Sequence, residues 1–405
     1  MGHGPRLCQT GFDHPSIKAP MNAYNSDGFG HSGLLTRPPQ ASGQGDSSRP
    51  MAVIIGSGFG GLAAAIRLSV KGYQVKVLEK LDAPGGRAYV HKQDGFTFDA
   101  GPTIITAPFL LEELWTLCGK RFADDVTLKP MAPFYRIRFD DGSWFDYSGD
   151  ETQMLAEVAR FCPEDVQGYL NFVQEAERCK TLGFEGLGSI AFDTLGDLFK
   201  AIPSFMKMGA WRSIYTLVAK HFSNDKLRTV MSFHPLLIGG NPFSVTAAYA
   251  LINSLERTWG VHSAMGGTGS IVQGLVGLLK ERGVQLRCNA PVHQIRIENG
   301  RACGVELDTG EFIAADIVVS NADTAWTYKH LVAAQHRRHW TDAKIERGRY
   351  SMGLFVWYFG TSRQYKSVPH HMMVLGPRYK GLLTDIFKRH KLAEIGRASC
   401  RERVS

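Results

Sequence analysis

A glycine-rich turn between two apolar segments constrains the fold of this chain more than any other feature. The turn, Gly56-Ser57-Gly58-Phe59-Gly60-Gly61, follows the apolar run 51–55 and precedes a helical pattern over 62–70. In such a strand–turn–helix unit the first glycine permits a tight turn, the second admits a pyrophosphate close to the backbone, and the last lets helix and strand pack closely. The helix N-terminus adds amides and a positive dipole. These features predict a dinucleotide-binding βαβ unit.

An acidic residue at the end of the next apolar run strengthens this interpretation. Residues 74–78 form a second predicted buried strand, which closes on Glu79 about 20 residues after the glycine turn. A carboxylate at this place accepts the ribose hydroxyls of a dinucleotide and disfavours the 2′-phosphate of NADP. We assign Glu79 and the adjacent Lys80 to the cofactor site.

A second glycine loop follows almost at once and favours FAD over NAD. In a nicotinamide-dependent dehydrogenase the chain enters the next crossover after the acid, whereas this chain continues into Gly85-Gly86-Arg87. The loop backbone and the Arg87 guanidinium can meet phosphates from the other side. A predicted strand at 95–99 then leads to the small-residue turn Gly101-Pro102-Thr103, which suits the close approach of an isoalloxazine ring. An ordinary tight turn with a surface arginine is the alternative for the second loop.

Several longer segments carry a family resemblance. They are PGGRAY at 84–89, GFTFDAGPTIIT at 95–106, MAPFYR at 131–136, SFHPLLIGGNPF at 232–243, GGTG at 266–269 and VSNAD at 319–323. Together with the glycine turn, they resemble the bacterial-type phytoene desaturase family of FAD-dependent oxidoreductases. The glycine loops recur across the wider group of amine-oxidase-like flavoproteins, whereas the segment at 232–243 is particular to carotenoid desaturases. The resemblance covers residues 52–393.

The resemblance implies an α/β flavoprotein of the amine-oxidase-like (GR2) type, in which a Rossmann-like FAD-binding domain is interrupted by an α+β substrate domain. It implies that Val292, at the start of a strand meander, contacts the adenine through its backbone, and that 321–323 lie near the cofactor. The pattern predicts meander strands at 292–298, 304–308 and 312–320. The expected division is an FAD-binding domain at 51–130 and 256–325 and a substrate domain at 131–255 and 326–393.

For function, the resemblance implies desaturation of phytoene or a related carotenoid precursor in carotenoid biosynthesis. Dehydrogenation of an unactivated hydrocarbon removes a hydride and a proton, and no side chain accepts a hydride, so that part falls to FAD. Asp197 and His234 are the candidate catalytic residues for the proton. An acid at a helix start is more often a cap, and a lone histidine in an apolar segment more often belongs to the core.

Two other functions are open. An amine oxidase on the same fold would need an aromatic cage, whose C-terminal members cannot be seen in this sequence. A flavin-free lipid-binding escort module, of the Rab-escort type, has the same architecture without redox chemistry. The intact loops at 84–89 and 99–103 disfavour such a module, and a flavin absorption band distinguishes it from either enzyme.

The composition limits the classes of partner. The net charge of +8 comes without a block of lysine and arginine interleaved with aromatic residues, so nucleic acid is not an expected partner. The seven cysteines include no C-x-x-C pair, which predicts neither a metal site nor a disulfide framework and fits a reducing, cytoplasmic setting. The sequence does not indicate an oligomeric state.

Peripheral membrane contact is expected. The sequence has no uncharged apolar run of the length that spans a bilayer. The segment 195–212 mixes bulky apolar residues with lysine and arginine, as segments in a membrane interface do. A core helix pair with a basic edge is the alternative. The resemblance favours the membrane, because desaturases of this type take a water-insoluble polyene lipid from the bilayer.

Both ends of the sequence are expected to lie outside the fold. Residues 1–50 are rich in glycine, proline and serine and lack periodicity, which predicts a disordered tail or a mis-called leader. Residues 394–405 look like the translation of sequencing-adapter DNA, which predicts a C-terminally truncated chain. The family carries a further glycine-rich flavin contact near its C-terminus, and no match to it precedes residue 393. We therefore expect the chain to bind FAD less well than its family.

Overall fold

The structure, a computed structural model, describes residues 49–391 and 400–403, with side chains described for 49–391. The ends expected at 1–50 and 394–405 lie outside the described residues, except for residues 49–50 and the backbone of 400–403. Within the described part, the strands are β1 (Met51–Ile55), β2 (Gln74–Leu78), β3 (Val90–Gln93), β4 (Phe96–Asp99), β5 (Leu128–Pro130), β6 (Tyr135–Arg138), β7 (Trp144–Tyr147), β8 (His262–Ala264), β9 (Gln285–Arg287), β10 (Val292–Glu298), β11 (Arg301–Leu307), β12 (Phe312–Ala314), β13 (Ile317–Ser320), β14 (His371–Val374) and β15 (Cys400–Arg403). The α-helices are α1 (Phe59–Val70), α2 (Phe109–Leu117), α3 (Phe122–Asp125), α4 (Glu151–Phe161), α5 (Val166–Cys179), α6 (Leu195–Lys207), α7 (Ile214–Ala219), α8 (Asp225–Ser232), α9 (Leu251–Trp259), α10 (Thr268–Glu281), α11 (Thr324–Trp326), α12 (Asp342–Glu346) and α13 (Tyr379–Lys388).

A four-stranded parallel sheet in the order β13-β1-β2-β9 carries the glycine turn. Strand β1 lies between β13 and β2, with Ile54 opposite Val319 on one side and Val77 on the other. The sheet therefore combines the predicted βαβ unit with strands from a segment far along the chain.

The two faces of β1 belong to two hydrophobic cores. Ala52 and Ile54 pack with residues of α1 and α10. Val53 and Ile55 pack against the antiparallel sheet β10-β11-β12 on the opposite face. Successive side chains of a strand alternate between faces, and a strand buried on both faces reads as a continuous apolar run. This double burial explains why all five residues of β1 are apolar.

The single strand expected at 312–320 is wrong, because this segment forms two strands in different sheets. β12 pairs with β11, whereas β13 pairs with β1. Between them, the Asp316 N–H donates to the Met51 carbonyl (2.9 Å), and the Asp316 carboxylate accepts from the Met51 N–H (2.8 Å). These two hydrogen bonds lie where the chain leaves the antiparallel meander and begins its parallel pairing with β1.

A second sheet, in the order β15-β14-β6-β7, supports the helical part of the molecule. Strands β6 and β7 form an antiparallel hairpin, and β14 pairs with β6 in parallel, so the segments 131–255 and 326–393 share one sheet. Large aromatic side chains dominate the core between this sheet and the helices, namely Tyr135, Phe145, Tyr147, Tyr169, Phe172, Phe222 and Phe233.

Helix α6, which begins the segment 195–212, lies on the surface. Ala201 is its one buried residue, so the structure does not support the alternative of a core helix pair for this helix. None of the helices in the described part of the chain combines the length and the apolar character of a membrane-spanning helix.

A pair of leucine substitutions tests the core beneath β1. Leu62 of α1 is fully buried, whereas Leu110 of α2 is 47% exposed. We expect Leu62→Ala to lower the free energy of unfolding by about 2–5 kcal/mol, because it leaves a cavity. The matched control Leu110→Ala should change it by less than about 1 kcal/mol, since that side chain already contacts water. Urea unfolding followed by circular dichroism measures both, and equal losses would contradict this placement of α1.

Candidate functional site

The glycine turn after β1 has the geometry of a close-packed nucleotide loop. Gly56 has φ +91°, a left-handed conformation that residues with side chains rarely adopt. A Cβ atom at position 61 would lie 2.0 Å from the carbonyl oxygen of Gly56, so the close approach requires glycine. Helix α1 begins with Gly58 as N-cap and has no acidic side chain in its first turn. Its first amides have no acceptor within the helix and can bind a phosphate.

Glu79 lies at the end of β2, beside this turn. Glu79 is 4% exposed. Oε2 accepts hydrogen bonds from the Ser57 N–H (2.8 Å) and hydroxyl (2.6 Å), and Oε1 accepts one from the Leu81 N–H (3.0 Å). These donors offset the cost of burying the charge. The ribose contact expected of Glu79 stays a prediction, and the structure adds that this carboxylate ties the glycine turn to β2.

The second glycine loop packs directly on the first. The Gly85 N–H donates to the Ser57 carbonyl (3.0 Å). Gly86 has φ +58°, and a Cβ atom there would lie 2.9 Å from the Cα of Gly58. Arg87 follows on the exposed side of the loop. Its exposure is compatible with a phosphate contact and with the alternative of a surface arginine.

The small-residue turn at 101–103, the third loop of the site, packs against the second glycine loop and α10. A Cβ atom on Gly101 would lie 2.4 Å from the Arg87 carbonyl oxygen. The Pro102 carbonyl accepts a hydrogen bond from the Thr268 hydroxyl (2.8 Å). The Asp99 carboxylate accepts from the first two backbone N–H groups of α10 at 3.0 and 3.2 Å. A carboxylate stabilises a helix N-terminus, so α10 and the third loop hold each other in place.

A buried histidine links the third loop to the second sheet. The Thr103 hydroxyl lies 3.2 Å from Nε2 of His371, which begins β14 and is 2% exposed. Nδ1 of His371 lies 3.3 Å from the Phe134 carbonyl oxygen. Since a carbonyl only accepts, Nδ1 carries the proton of that hydrogen bond. The adjacent His370 places its own Nδ1 3.2 Å from the same Nε2. The histidine therefore orients the Thr103 side chain.

Asn321, which directly follows β13, lies beside the glycine turn. The Asn321 N–H donates to the Ile55 carbonyl (2.8 Å). The side-chain oxygen of Asn321 lies 2.5 Å from the position of a Cβ atom on Gly60. All these loops meet at the carboxyl edge of the parallel sheet, where nucleotides bind in open α/β folds. Val292, at the start of β10, is partly buried in the core that β1 shares with the meander.

The arrangement fits a flavin dinucleotide. At Gly61, Gly86 and Gly101 a Cβ atom would come under 3.0 Å from backbone atoms, so the three loops approach one another as bare backbone. The N-terminus of α1 offers amides for a pyrophosphate. Lys80 and Arg87 are exposed beside the loops and supply positive charge. The residues present can therefore hold the cofactor that the sequence predicted.

Asp197 has a structural partner. The Thr194 hydroxyl donates to its carboxylate (2.7 Å), and the Asp197 N–H donates to the Thr194 hydroxyl oxygen (3.1 Å). Together with the Thr194 N–H, these bonds form a capping box that begins α6. Asp197 therefore lies in the first turn of α6 as part of its cap. This is close to the helix-cap alternative that the sequence left open. The contacts lend no support to a catalytic role.

His234 lies inside the core of the second sheet. It is fully buried, its Nε2 lies 3.1 Å from the Glu256 carboxylate, and its ring stacks on Phe233 at 4.2 Å. Glu256, 1% exposed, also accepts the Tyr135 hydroxyl at 2.5 Å. Burial, and then the Glu256 carboxylate, raise the pKa of Tyr147 well above its usual value. This environment is that of a core histidine, and it does not support a contact with substrate.

Sequence reasoning missed Asp99 and His371. The amides that Asp99 accepts from lie 169 and 170 residues further along the chain. Thr103 and His371 are separated by 268 residues. No local pattern connects partners at such distances. The one visible signal was the pair of adjacent histidines at the edge of the apolar segment 372–375.

Replacing Gly61 with alanine tests the first loop. The added Cβ would lie 2.0 Å from a carbonyl oxygen, so the turn must shift. We expect the free energy of unfolding to fall by about 1–3 kcal/mol and the affinity for FAD to fall at least about tenfold. Denaturant unfolding and equilibrium dialysis with FAD measure the two effects.

Gly277→Ala is the matched control for that substitution. Gly277 lies in α10 with open space around its Cβ position, and alanine favours a helix by up to about 1 kcal/mol. This variant should bind FAD as the unchanged protein does. Equal FAD affinity in the Gly61 and Gly277 variants would show that the turn does not hold the cofactor.

Comparison with known proteins identifies the family. The sequence matches the family model described as flavin containing amine oxidoreductase over residues 59–370. It is 47% identical over 359 residues to the neurosporene-forming phytoene desaturase of Cereibacter sphaeroides, covering 88% of this chain and 69% of the relative. It is 45% identical over 343 residues to the lycopene-forming phytoene desaturase of a Paracoccus species, covering 85% and 68%. The chain thus spans about two thirds of the length of these relatives.

A solved structure shows the same fold. A protein from Pyrococcus furiosus superposes with a TM-score of 0.53 at 18% identity, over 81% of this chain and 72% of that chain. At this identity the likeness concerns the fold alone. The family assignment rests on the match to the family model and on the identity to curated relatives. The chain belongs to the flavin containing amine oxidoreductases and, within them, to the bacterial phytoene desaturases.

Proposed function

We propose that this chain carries out the FAD-dependent dehydrogenation of phytoene or a closely related polyene in carotenoid biosynthesis. The observation that carries the proposal is the 47% identity to a phytoene desaturase across 88% of the chain. The three glycine loops that meet at one sheet edge support it. The reaction class is oxidation of a CH–CH bond, for which FAD supplies the hydride acceptor.

The residues of this chain have to hold the cofactor and orient the substrate. We assign the pyrophosphate to the turn 56–61, the ribose to Glu79 and Lys80, and the adenine backbone contact to Val292. The loops 85–87 and 101–103 lie on the flavin side. The substrate is a hydrocarbon, so the remaining share of the protein is to align it and exclude water. Asp197 and His234 stay predictions as groups that receive the proton, and the helix cap of Asp197 and the buried contact of His234 with Glu256 do not support that role.

The surface of α6 supports peripheral membrane contact. Its apolar residues occupy one helical face and are exposed, at 74% for Leu195, 67% for Phe199 and 56% for Met206. Lys200 and Lys207 are exposed on the same helix. A helix of this composition lies in a membrane interface with its apolar face in lipid and its cations near anionic head groups. This surface is the proposed route by which the enzyme meets a polyene dissolved in the bilayer.

Conversion of phytoene in liposomes tests the proposed reaction. The chain is incubated with FAD and phytoene-containing vesicles, with the Cereibacter sphaeroides enzyme as a positive control, and the visible spectrum is recorded. We expect polyene bands to grow in the presence of bound flavin. Bound flavin with unchanged phytoene would point to another substrate, such as an amine. A folded chain without a flavin absorption band would leave a lipid-binding module instead of an enzyme.

Vesicle flotation tests the membrane surface. We expect the combined variant Leu195→Ser, Phe199→Ser and Met206→Ser to bind vesicles containing phosphatidylserine at least about tenfold more weakly, since each inserted apolar side chain contributes about 1.5–3 kcal/mol.

The control for flotation uses exposed aromatic residues elsewhere. Phe96→Ser and Phe312→Ser remove side chains that are 61% and 51% exposed. This control variant should float as the unchanged protein does. Equal binding of the α6 variant and the control would remove α6 from the membrane surface.

A further inference from the structure

A cation–aromatic pair spans the carboxyl edge of the parallel sheet. Lys80 is the second residue after β2, and Trp326 lies shortly after β13, at the end of α11. These two strands flank β1, which carries the glycine turn. The Lys80 ammonium lies 5.8 Å from the centroid of the Trp326 ring. The contact therefore reaches across the crevice in which nucleotides bind in this type of sheet.

The position of Trp326 is fixed although its ring is open to solvent. The Asp323 carboxylate accepts the N–H groups of Ala325 (2.9 Å) and Trp326 (3.2 Å) and so begins α11. The His330 ring lies 3.9 Å from the indole, tilted by 32°. The indole is nevertheless 51% exposed. A single exposed ring is common on protein surfaces, and here it is the location beside the crevice that gives the ring a role.

The neighbours of the pair identify which half of a dinucleotide it faces. The pyrophosphate belongs at the N-terminus of α1, and Glu79 stands at the ribose position. Lys80 is the next residue, and the third loop with Thr103 lies on the flavin side. The Lys80–Trp326 contact is thus on the adenosine side of the crevice.

We propose that Trp326 forms one wall of the adenosine half of the FAD site, with its indole face against the adenine. Base-on-aromatic stacking needs only a π-face, and an ammonium group over an indole marks the same electron-rich face. When the adenine occupies that face, the flexible Lys80 side chain turns its ammonium toward the ribose and the adjoining phosphates. This inference rests on the proposed FAD function and adds a residue to it.

Binding of partial ligands tests the proposal. FAD, ADP and FMN are titrated into the chain, because ADP carries the adenosine half alone and FMN carries the flavin half alone. Base–aromatic stacking contributes about 1–3 kcal/mol. We therefore expect Trp326→Ala to weaken both ADP and FAD at least about fivefold and to leave FMN unchanged. Trp326→Phe should retain most of the affinity, since a phenyl ring also stacks.

A matched control removes an equivalent indole elsewhere. Trp144 of β7 is 47% exposed and carries the Arg136 guanidinium at 5.4 Å from its ring. Trp144→Ala deletes a similar cation–aromatic pair outside the crevice and should bind all three ligands normally. Tryptophan fluorescence gives a second readout, because quenching by ADP should be smaller in the Trp326→Phe variant than in the unchanged chain.

The outcomes separate this inference from the proposed function. If the unchanged chain binds FAD and the Trp326→Ala variant binds ADP equally well, the stacking role is wrong while the flavin function stands. If the Trp326→Ala variant binds ADP more tightly than the unchanged chain does, the indole obstructs the crevice and the stacking role is also wrong. If the folded, unchanged chain binds neither FAD nor FMN, the proposed function itself fails.

Discussion

The parallel pairing of β1 with β13 is the interaction on which the rest of the structure depends. It places Ala52 to Ile55 in register with Ile317 to Ser320, and the hydrogen bonds of Asp316 to Met51 close the start of the pair. Without it, β1 would be an edge strand with unpaired backbone groups. The same pairing delivers Asn321 to the glycine turn. Fold and site therefore rest on one ladder between distant segments.

The aromatic core of the second sheet contains buried polar groups that hydrogen-bond to one another. The Glu256 carboxylate lies among apolar side chains and is held by Tyr135 and His234. Removing one partner of a buried charge costs more than the pair contributes, because the remaining charge stays desolvated. His371 then connects this sheet to Thr103 in the third loop. The geometry of the third loop thus depends on β14 of the second sheet as well as on α10.

The sequence predicted those parts of the structure whose sequence patterns lie within one short segment of the chain. The βαβ unit could be predicted because the glycine turn, the helical period and the terminal Glu79 lie within one short segment. The partners of Asp99 and His371 could not, since hydrogen bonds to remote backbone and hydroxyl groups leave no periodic pattern. The break at Asp316 was also hidden, because mostly apolar residues continue through both strands. For 195–212, the apolar and basic composition permitted a buried or an exposed helix, and only packing distinguishes them.

The position of β13 in the chain has a consequence during synthesis. A ribosome releases β1, α1 and β2 first, and residues 79–316 must follow before β13 exists. At 5–20 residues per second this interval lasts roughly 10–50 s. Until β13 emerges, the edge of β1 that this strand covers in the folded chain lacks its partner. The parallel sheet can therefore be completed only late in synthesis, and the packing of Asn321 against the glycine turn forms with it.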